Sequence, residues 1–157
     1  MHATRRFLET TSPDDIDVKL DISNAFTSLH RDAMLTVTAD LIPEIYRFSH
    51  LSYANPSQLK FGSRSISSEV GAQQGDPLGP LLFCLTIQSI LASLTSPLKI
   101  GYLDDITIGG HQSTVAEDVD TIRTMSGTIG LKLNNCKCEL ISNSKAPVIN
   151  TFKDFVQ

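Results

Sequence analysis

Apolar and polar residues alternate cleanly from Ile16 to Ile22. Ile16, Val18, Leu20 and Ile22 fall on one side and Asp17, Lys19 and Asp21 on the other, the period of a half-buried strand. This pattern predicts that Asp21 projects from the open face of a sheet at the strand's end. After Ser23-Asn24-Ala25-Phe26, where Asn24 suits a turn, Met34, Leu35, Val37, Thr38 and Leu41 stand near helical spacing and predict a helix from His30 to Ile42. Pro43 suits the first turn of a second helix reaching about Tyr53, and Asn55-Pro56-Ser57 ends it. Gln58-Leu59-Lys60-Phe61 and Ser65–Val70 flank Gly62-Ser63 as a hairpin. The glycines and prolines between Gly71 and Pro80 predict a structured loop rather than a helix. A markedly apolar helix follows, from about Leu81 to Leu94. Pro97–Tyr102 and Ile106–Ile108 read as strands, with Asp104 and Asp105 at the turn between them. Thr114–Ile129 reads as an amphipathic helix stopped near Gly130. Leu131–Asn134 and Cys138–Ser142 read as short strands with Lys137 between them.

This order predicts an α+β domain, an antiparallel sheet with ferredoxin-like character, backed by helices on one face. The domain runs over residues 15–142, after a polar flank of 1–14 that ends in the turn signal Ser12-Pro13-Asp14-Asp15, and before a tail of 143–157 with little pattern. No repeat or low-complexity tract is visible. The 157 residues suffice for one domain, which buries roughly two-thirds of its unfolded surface. The net charge of −4 sets aside a basic nucleic-acid binder by composition, so phosphate contacts must largely come from elsewhere. Three cysteines without framework spacing point to a reducing, intracellular compartment, nucleus or cytoplasm. Cys136-Lys137-Cys138 lacks the matching His or Cys cluster of a zinc site, and the four histidines show no ligand spacing. No apolar h-region follows the N-terminus, and no run approaches the roughly 18 apolar residues of a membrane span, so no membrane partner is expected.

The chemistry concentrates on the carboxylates. Two adjacent aspartates repel unless a proton or cation lies between them. Alone, Asp104-Asp105 reads equally as a solvated turn or as a cation site. If the strand ending at Asp21 neighbours this hairpin, three carboxylates converge on the open face. Mg²⁺ prefers oxygen ligands and is often held by one or two carboxylates plus substrate phosphates. Two such ions a few ångströms apart activate an attacking hydroxyl and stabilise the leaving oxygen of a phosphoryl transfer.

Four stretches resemble, in order, the palm motifs of reverse transcriptases. They are Asp21-Ile22-Ser23-Asn24-Ala25-Phe26, Gln74-Gly75-Asp76-Pro77-Leu78-Gly79-Pro80-Leu81-Leu82-Phe83, Tyr102-Leu103-Asp104-Asp105, and Gly130-Leu131-Lys132-Leu133-Asn134 with Lys137-Cys138. The long second motif is similar to the non-LTR retrotransposon and group II intron branch. The resemblance implies an RNA-directed DNA polymerase palm that joins dNTPs to a primer 3′-hydroxyl on an RNA template with a DNA primer. It further implies two Mg²⁺ ions, or Mn²⁺, held by Asp21, Asp104, the Ile22 carbonyl and, less directly, Asp105. Phe26 would exclude a 2′-hydroxyl, Gln74 and Gly75 would lie against nucleotide and template, and Tyr102 and Leu103 would meet the primer end and sugar. Lys137 would sit by the departing pyrophosphate, and Lys60 and Arg64 are candidates for backbone phosphate.

In this family a basic fingers region precedes the palm and a helical thumb follows it, and neither is recognisable here. The expectation is therefore weak or undetectable polymerase activity from this chain alone, with fingers and thumb of a longer polypeptide as partners. Two other readings stand beside it. One is a non-catalytic, retroelement-derived remnant that binds nucleic acid or protein. The other is an RNA-dependent RNA polymerase palm, against which Phe26 and the Gln-Gly-Asp-Pro loop argue.

Overall fold

The computed structural model describes Phe7, Ser12, 14–142 and 149–156. Strand β1 (Asp15–Leu20) is followed by a single helical turn α1 (Ala25–Ser28), then helices α2 (Arg31–Leu41) and α3 (Pro43–Tyr53). Strands β2 (Ser57–Phe61) and β3 (Arg64–Ser68) form a separate two-stranded hairpin. Helix α4 (Gly79–Ser93), strands β4 (Leu98–Tyr102) and β5 (Asp105–His111), helix α5 (Gln112–Thr128) and strand β6 (Glu139–Ser142) complete the main elements.

Four strands make one antiparallel sheet in the order β4-β5-β1-β6. β1 is central and pairs with β5 through Val18↔Ile108 and Leu20↔Ile106, and with β6 through Val18↔Leu140. Paired residues share a face, so Val18, Leu20, Ile106, Ile108 and Leu140 line one side, all buried. Leu82, Phe83, Ile87 and Ile90 of α4 and Val115, Val119 and Ile122 of α5 are buried in the same core. Helices α2 and α3 pack on each other, and α2 packs on α4. The predicted α+β arrangement, with an antiparallel sheet and helices, is the one observed.

Several boundaries differ from the sequence reading, each for a local reason. Gly79 and Pro80 belong to helix α4, because proline at N1 or N2 has no N–H to lose there. Leu131–Asn134 is not a strand. It makes one bridge, Leu133↔Ile22, and a 3₁₀ turn over Asn135–Lys137 carries Lys137. Asp105 is the first residue of β5, paired with Tyr102, so only Leu103 and Asp104 form the turn. The expected open face is partly covered. Asp17 on that face is 1% exposed, and a Cβ at its partner Gly109 would lie 2.9 Å from the Phe7 ring and 2.1 Å from the Asp17 carboxylate. The C-terminal residues also pack: Phe152 and Phe155 are buried in an edge-to-face pair, and Val156 exchanges hydrogen bonds with Cys138 and Leu140 at 2.8 Å.

Candidate active site

β1 ends at the Leu20↔Ile106 pair, so the residues one step beyond that pair are Asp21 on one chain segment and Asp105 on the other. The main chain of Asp21 is tied to the fourth motif. Its carbonyl accepts from the Asn134 N–H at 2.9 Å and its N–H donates to the Cys138 thiol sulfur at 3.5 Å. The Ser23 N–H donates to the Lys132 carbonyl at 2.9 Å. Cys138 is fully buried, and burial raises its thiol pKa. It therefore stays a neutral prop under Asp21.

Past Asp21 the chain reverses through Asn24, whose φ of 48° is a left-handed conformation that asparagine tolerates. The Asn24 carbonyl accepts from the Thr27 and Ser28 N–H groups at 3.0 Å each, which starts α1. Phe26 then stacks on Phe83 of α4, centroids 4.6 Å apart and 24° between planes. The segment leading into the second motif is tied to this turn by backbone hydrogen bonds, Gly71 N–H to Leu29 carbonyl at 2.9 Å and Ala72 N–H to Phe26 carbonyl at 2.8 Å. Gly71 has φ +75°, and a Cβ there would meet Thr27 and Phe26 backbone atoms at 2.5–2.6 Å. Only glycine allows that approach. At the hairpin tip, Leu103 has φ 57°, a strained conformation for a bulky residue.

These constraints close around a cleft of about 490 Å³. Of the residues singled out in the sequence, it gathers Asp21, Ile22, Phe26, Gln74, Asp104 and Lys137. Ser23, Asn24, Ala25, Thr27 and Asn134 complete the lining. Gly75, Tyr102, Leu103 and Asp105 are not among the lining residues. Tyr102 is 73% exposed. Asp105 turns to Lys19, with 3.6 Å between ammonium and carboxylate. Gly75 has φ +86° and nothing within 4 Å of a built Cβ, so its backbone angle rather than crowding calls for glycine. Lys60 and Arg64 stand on the exposed β2–β3 hairpin, away from the cleft lining.

Among the described residues, no three His, Cys, Asp or Glu gather closely enough to hold an ion unaided. The donor set nonetheless fits a hard divalent cation. Two carboxylates, Asp21 and Asp104, face one open cleft, and Mg²⁺ normally fills its remaining positions with water and substrate oxygens.

The sequence reading missed the residues that set the Gln74 loop. Tyr53 is 2% exposed, its hydroxyl donates to the Asp76 carboxylate, and it accepts the Gln73 N–H at 3.2 Å. Burial first, then the bond to Asp76, pushes its pKa up to about 12, so it remains a donor. Asp76 also accepts the Leu78 N–H at 2.9 Å. The available signal was the aspartate before Pro77, which suits a turn-closing side chain.

The antiparallel sheet and the placement of its helices are those of a polymerase palm. Apo telomerase from Candida tropicalis superposes with a TM-score of 0.71 at 14% identity, covering 90% of this chain and 32% of that one. Telomerase from the same organism in complex with a TWJ fragment of telomeric RNA gives 0.67 at 15% identity, covering 89% and 28%. At such identities the likeness concerns the fold, and this chain spans about a third of the telomerase chain matched at 32% coverage. No curated protein sequence matches the chain. Residues 2–149 match the reverse transcriptase (RNA-dependent DNA polymerase) family, and the chain belongs to that family.

Proposed function

We propose that this chain is the catalytic palm of an RNA-directed DNA polymerase, joining dNTPs to a primer 3′-hydroxyl on an RNA template. The observation that carries the reading is the convergence of Asp21, Phe26, Gln74, Asp104 and Lys137, from four separate motifs, on one cleft. Asp21 and Asp104, with the Ile22 carbonyl, would hold two Mg²⁺ ions, or Mn²⁺. Bound there, the ions would activate the primer hydroxyl and neutralise charge on the leaving oxygen. The residues of the chain divide the remaining work. Phe26, held against Phe83, would exclude a ribose 2′-hydroxyl by contact. Gln74 offers both a donor and an acceptor to the nucleotide. Lys137 would give a proton to the pyrophosphate oxygen as the α-phosphorus–oxygen bond breaks.

Tyr102 and Leu103 would meet the primer end, and Gly75 the template. Fingers and thumb of a longer polypeptide would supply the remaining grip. The second motif supports placing the chain near the non-LTR retrotransposon and group II intron branch. Its cysteines, none in a disulfide, support a reducing intracellular setting.

One contact favours a non-catalytic binding module instead, the Lys19 ammonium at 3.6 Å from Asp105. Both side chains are about half exposed, and such a pair is worth under about 1 kcal/mol. A divalent cation can therefore displace it. Titration of Mn²⁺ into the chain, followed by paramagnetic broadening of backbone amide signals, tests the reading. Broadening is expected around Asp21, Ile22 and Asp104, and its loss in Asp104→Asn. Broadening centred elsewhere, or unchanged in that variant, overturns it.

A further inference from the structure

The loop that brings Gln74 to the cleft is short, and Gln74 itself is exposed. Its flanks are tied to a single buried phenol. The Gln73 N–H donates to the Tyr53 hydroxyl at 3.2 Å, and the same hydroxyl donates to the Asp76 carboxylate. Asp76 turns its other oxygen to the Leu78 N–H at 2.9 Å, which fixes the chain just before helix α4. One oxygen atom therefore holds the loop on both sides of Gln74 and Gly75.

The phenol is itself held by a buried cation. Arg31 is 6% exposed, and its guanidinium lies 5.4 Å from the Tyr53 ring centroid. Its Nε donates to the Gly71 carbonyl at 3.0 Å, Nη1 to the Ser68 carbonyl at 2.8 Å and Nη2 to the Ser68 hydroxyl at 3.1 Å. Arg31 thus clamps the segment entering the loop and presses on the ring that pins the loop. A fixed planar fork suits this work better than a lysine point charge. Desolvating a guanidinium is costly, and these carbonyls lie outside the cleft lining.

We infer that Tyr53, Asp76 and Arg31 are positioning residues that hold the Gln74-Gly75 loop in the geometry that meets an incoming nucleotide. The inference rests on the palm reading for its ligand, a deoxynucleoside triphosphate with a divalent cation. The loop geometry itself is independent of that ligand. None of the three residues lines the cleft, so they act through Gln74 and not on the substrate.

Tyr53→Phe is the informative change, because it keeps the ring under Arg31 and removes only the hydroxyl. Two readouts separate this role from general stabilisation. The first is amide hydrogen exchange in the free chain. Exchange at Gln73–Leu78 is expected to rise about tenfold in Tyr53→Phe while β1 and α5 keep their protection, as for loss of one charge-assisted hydrogen bond. The second is binding of dTTP with Mg²⁺, followed by amide shifts at Gln74 and Asp21. Affinity is expected to fall about tenfold, by the same loss. With Tyr53 in place, Asp76→Asn, which keeps an acceptor, should retain much of the protection and affinity, and Asp76→Ala should lose both. Phe155→Leu, a core change remote from the loop, should lower the melting temperature and move neither readout. Unchanged exchange at Gln73–Leu78 in Tyr53→Phe overturns the inference. So does raised exchange with undiminished dTTP affinity. If the wild-type chain binds no dTTP, the palm reading fails on that point, and hydrogen exchange alone then decides whether the three residues hold the loop.

Discussion

Two glycines of the loop between Gly71 and Pro80 do different physical work, and substitution separates them. Gly71 combines φ +75° with backbone atoms 2.5 Å from a would-be Cβ, so Gly71→Ala is expected to cost about 3 kcal/mol, from strain and overpacking together. Gly75 has the same sign of φ and open space, so Gly75→Ala should cost only the backbone part, about 1 kcal/mol. Urea unfolding of both variants checks the contrast, and equal losses would refute it. Asp17 is the other residue whose environment decides its behaviour. It is 1% exposed with neither carboxylate oxygen hydrogen-bonded. Burial, then repulsion from Asp15, raises its pKa from 3.8 to about 6. A raised folded-state pKa means the carboxyl supports the fold below the unfolded value and weakens it as pH rises through about 6. Asp17→Asn is therefore expected to stabilise the chain at pH 7 by on the order of 2 kcal/mol. It should also flatten the stability profile between pH 4 and 6. A thermal-melting series across pH reads this directly, and a variant less stable than wild type at pH 7 would contradict it.

At the scale of elements, the cleft is held by cross-ties rather than by any one strand. Residues 131–134 were expected to form a strand and instead lie along Asp21–Ser23 through one isolated bridge, Ile22↔Leu133, made by two backbone hydrogen bonds. The connection between α4 and β4 is tied to α5 by Asp118, whose carboxylate accepts from the Thr95 and Ser96 N–H groups and both hydroxyls. Burial opposes ionisation of Asp118, and these hydrogen bonds outweigh it, leaving its pKa lowered. Its contribution is present above the usual carboxylate range and is lost in acid. The C-terminal segment is structural in the same way. Phe152 is fully buried and Val156 extends the sheet beside β6, so Phe152→Ala should cost about 3–5 kcal/mol. Chemical denaturation measures it, and a loss below about 1 kcal/mol would mean the segment is not docked as described.

At the scale of the whole molecule, charge limits what the chain does alone. With 13 basic and 17 acidic residues its field does not favour a polyanion. Binding to an RNA–DNA hybrid is expected to be weaker than about 1 μM at physiological salt, with a shallow salt dependence, since few phosphates are neutralised. Fluorescence anisotropy between low and high salt tests this. A steep slope would reveal a phosphate-binding surface beyond the residues considered. Primer extension by the isolated chain is expected to be weak at most, because a cleft lined by two carboxylates does not by itself hold a template.

Much of the architecture was legible in the order of the residues. Period-2 alternation at Ile16–Ile22, helical spacing in α2 and the amphipathic pattern of α5 follow from burial of one face, a property that each segment carries locally, and α4 was legible as a markedly apolar run. The motif residues Asp21, Phe26, Gln74, Asp104 and Lys137 were also named in the sequence, and the fold brings these five to one cleft. Tertiary structure alone decided the rest. The turn of Asp105 toward Lys19, the cover over Asp17, the docking of Phe152 and Phe155, and the clamp of Arg31, Tyr53 and Asp76 all depend on partners far apart in the chain. No local pattern of propensity or hydropathy encodes which distant donor meets which acceptor. That choice is made when the core closes and every buried polar group must find a partner or bear the cost of lacking one.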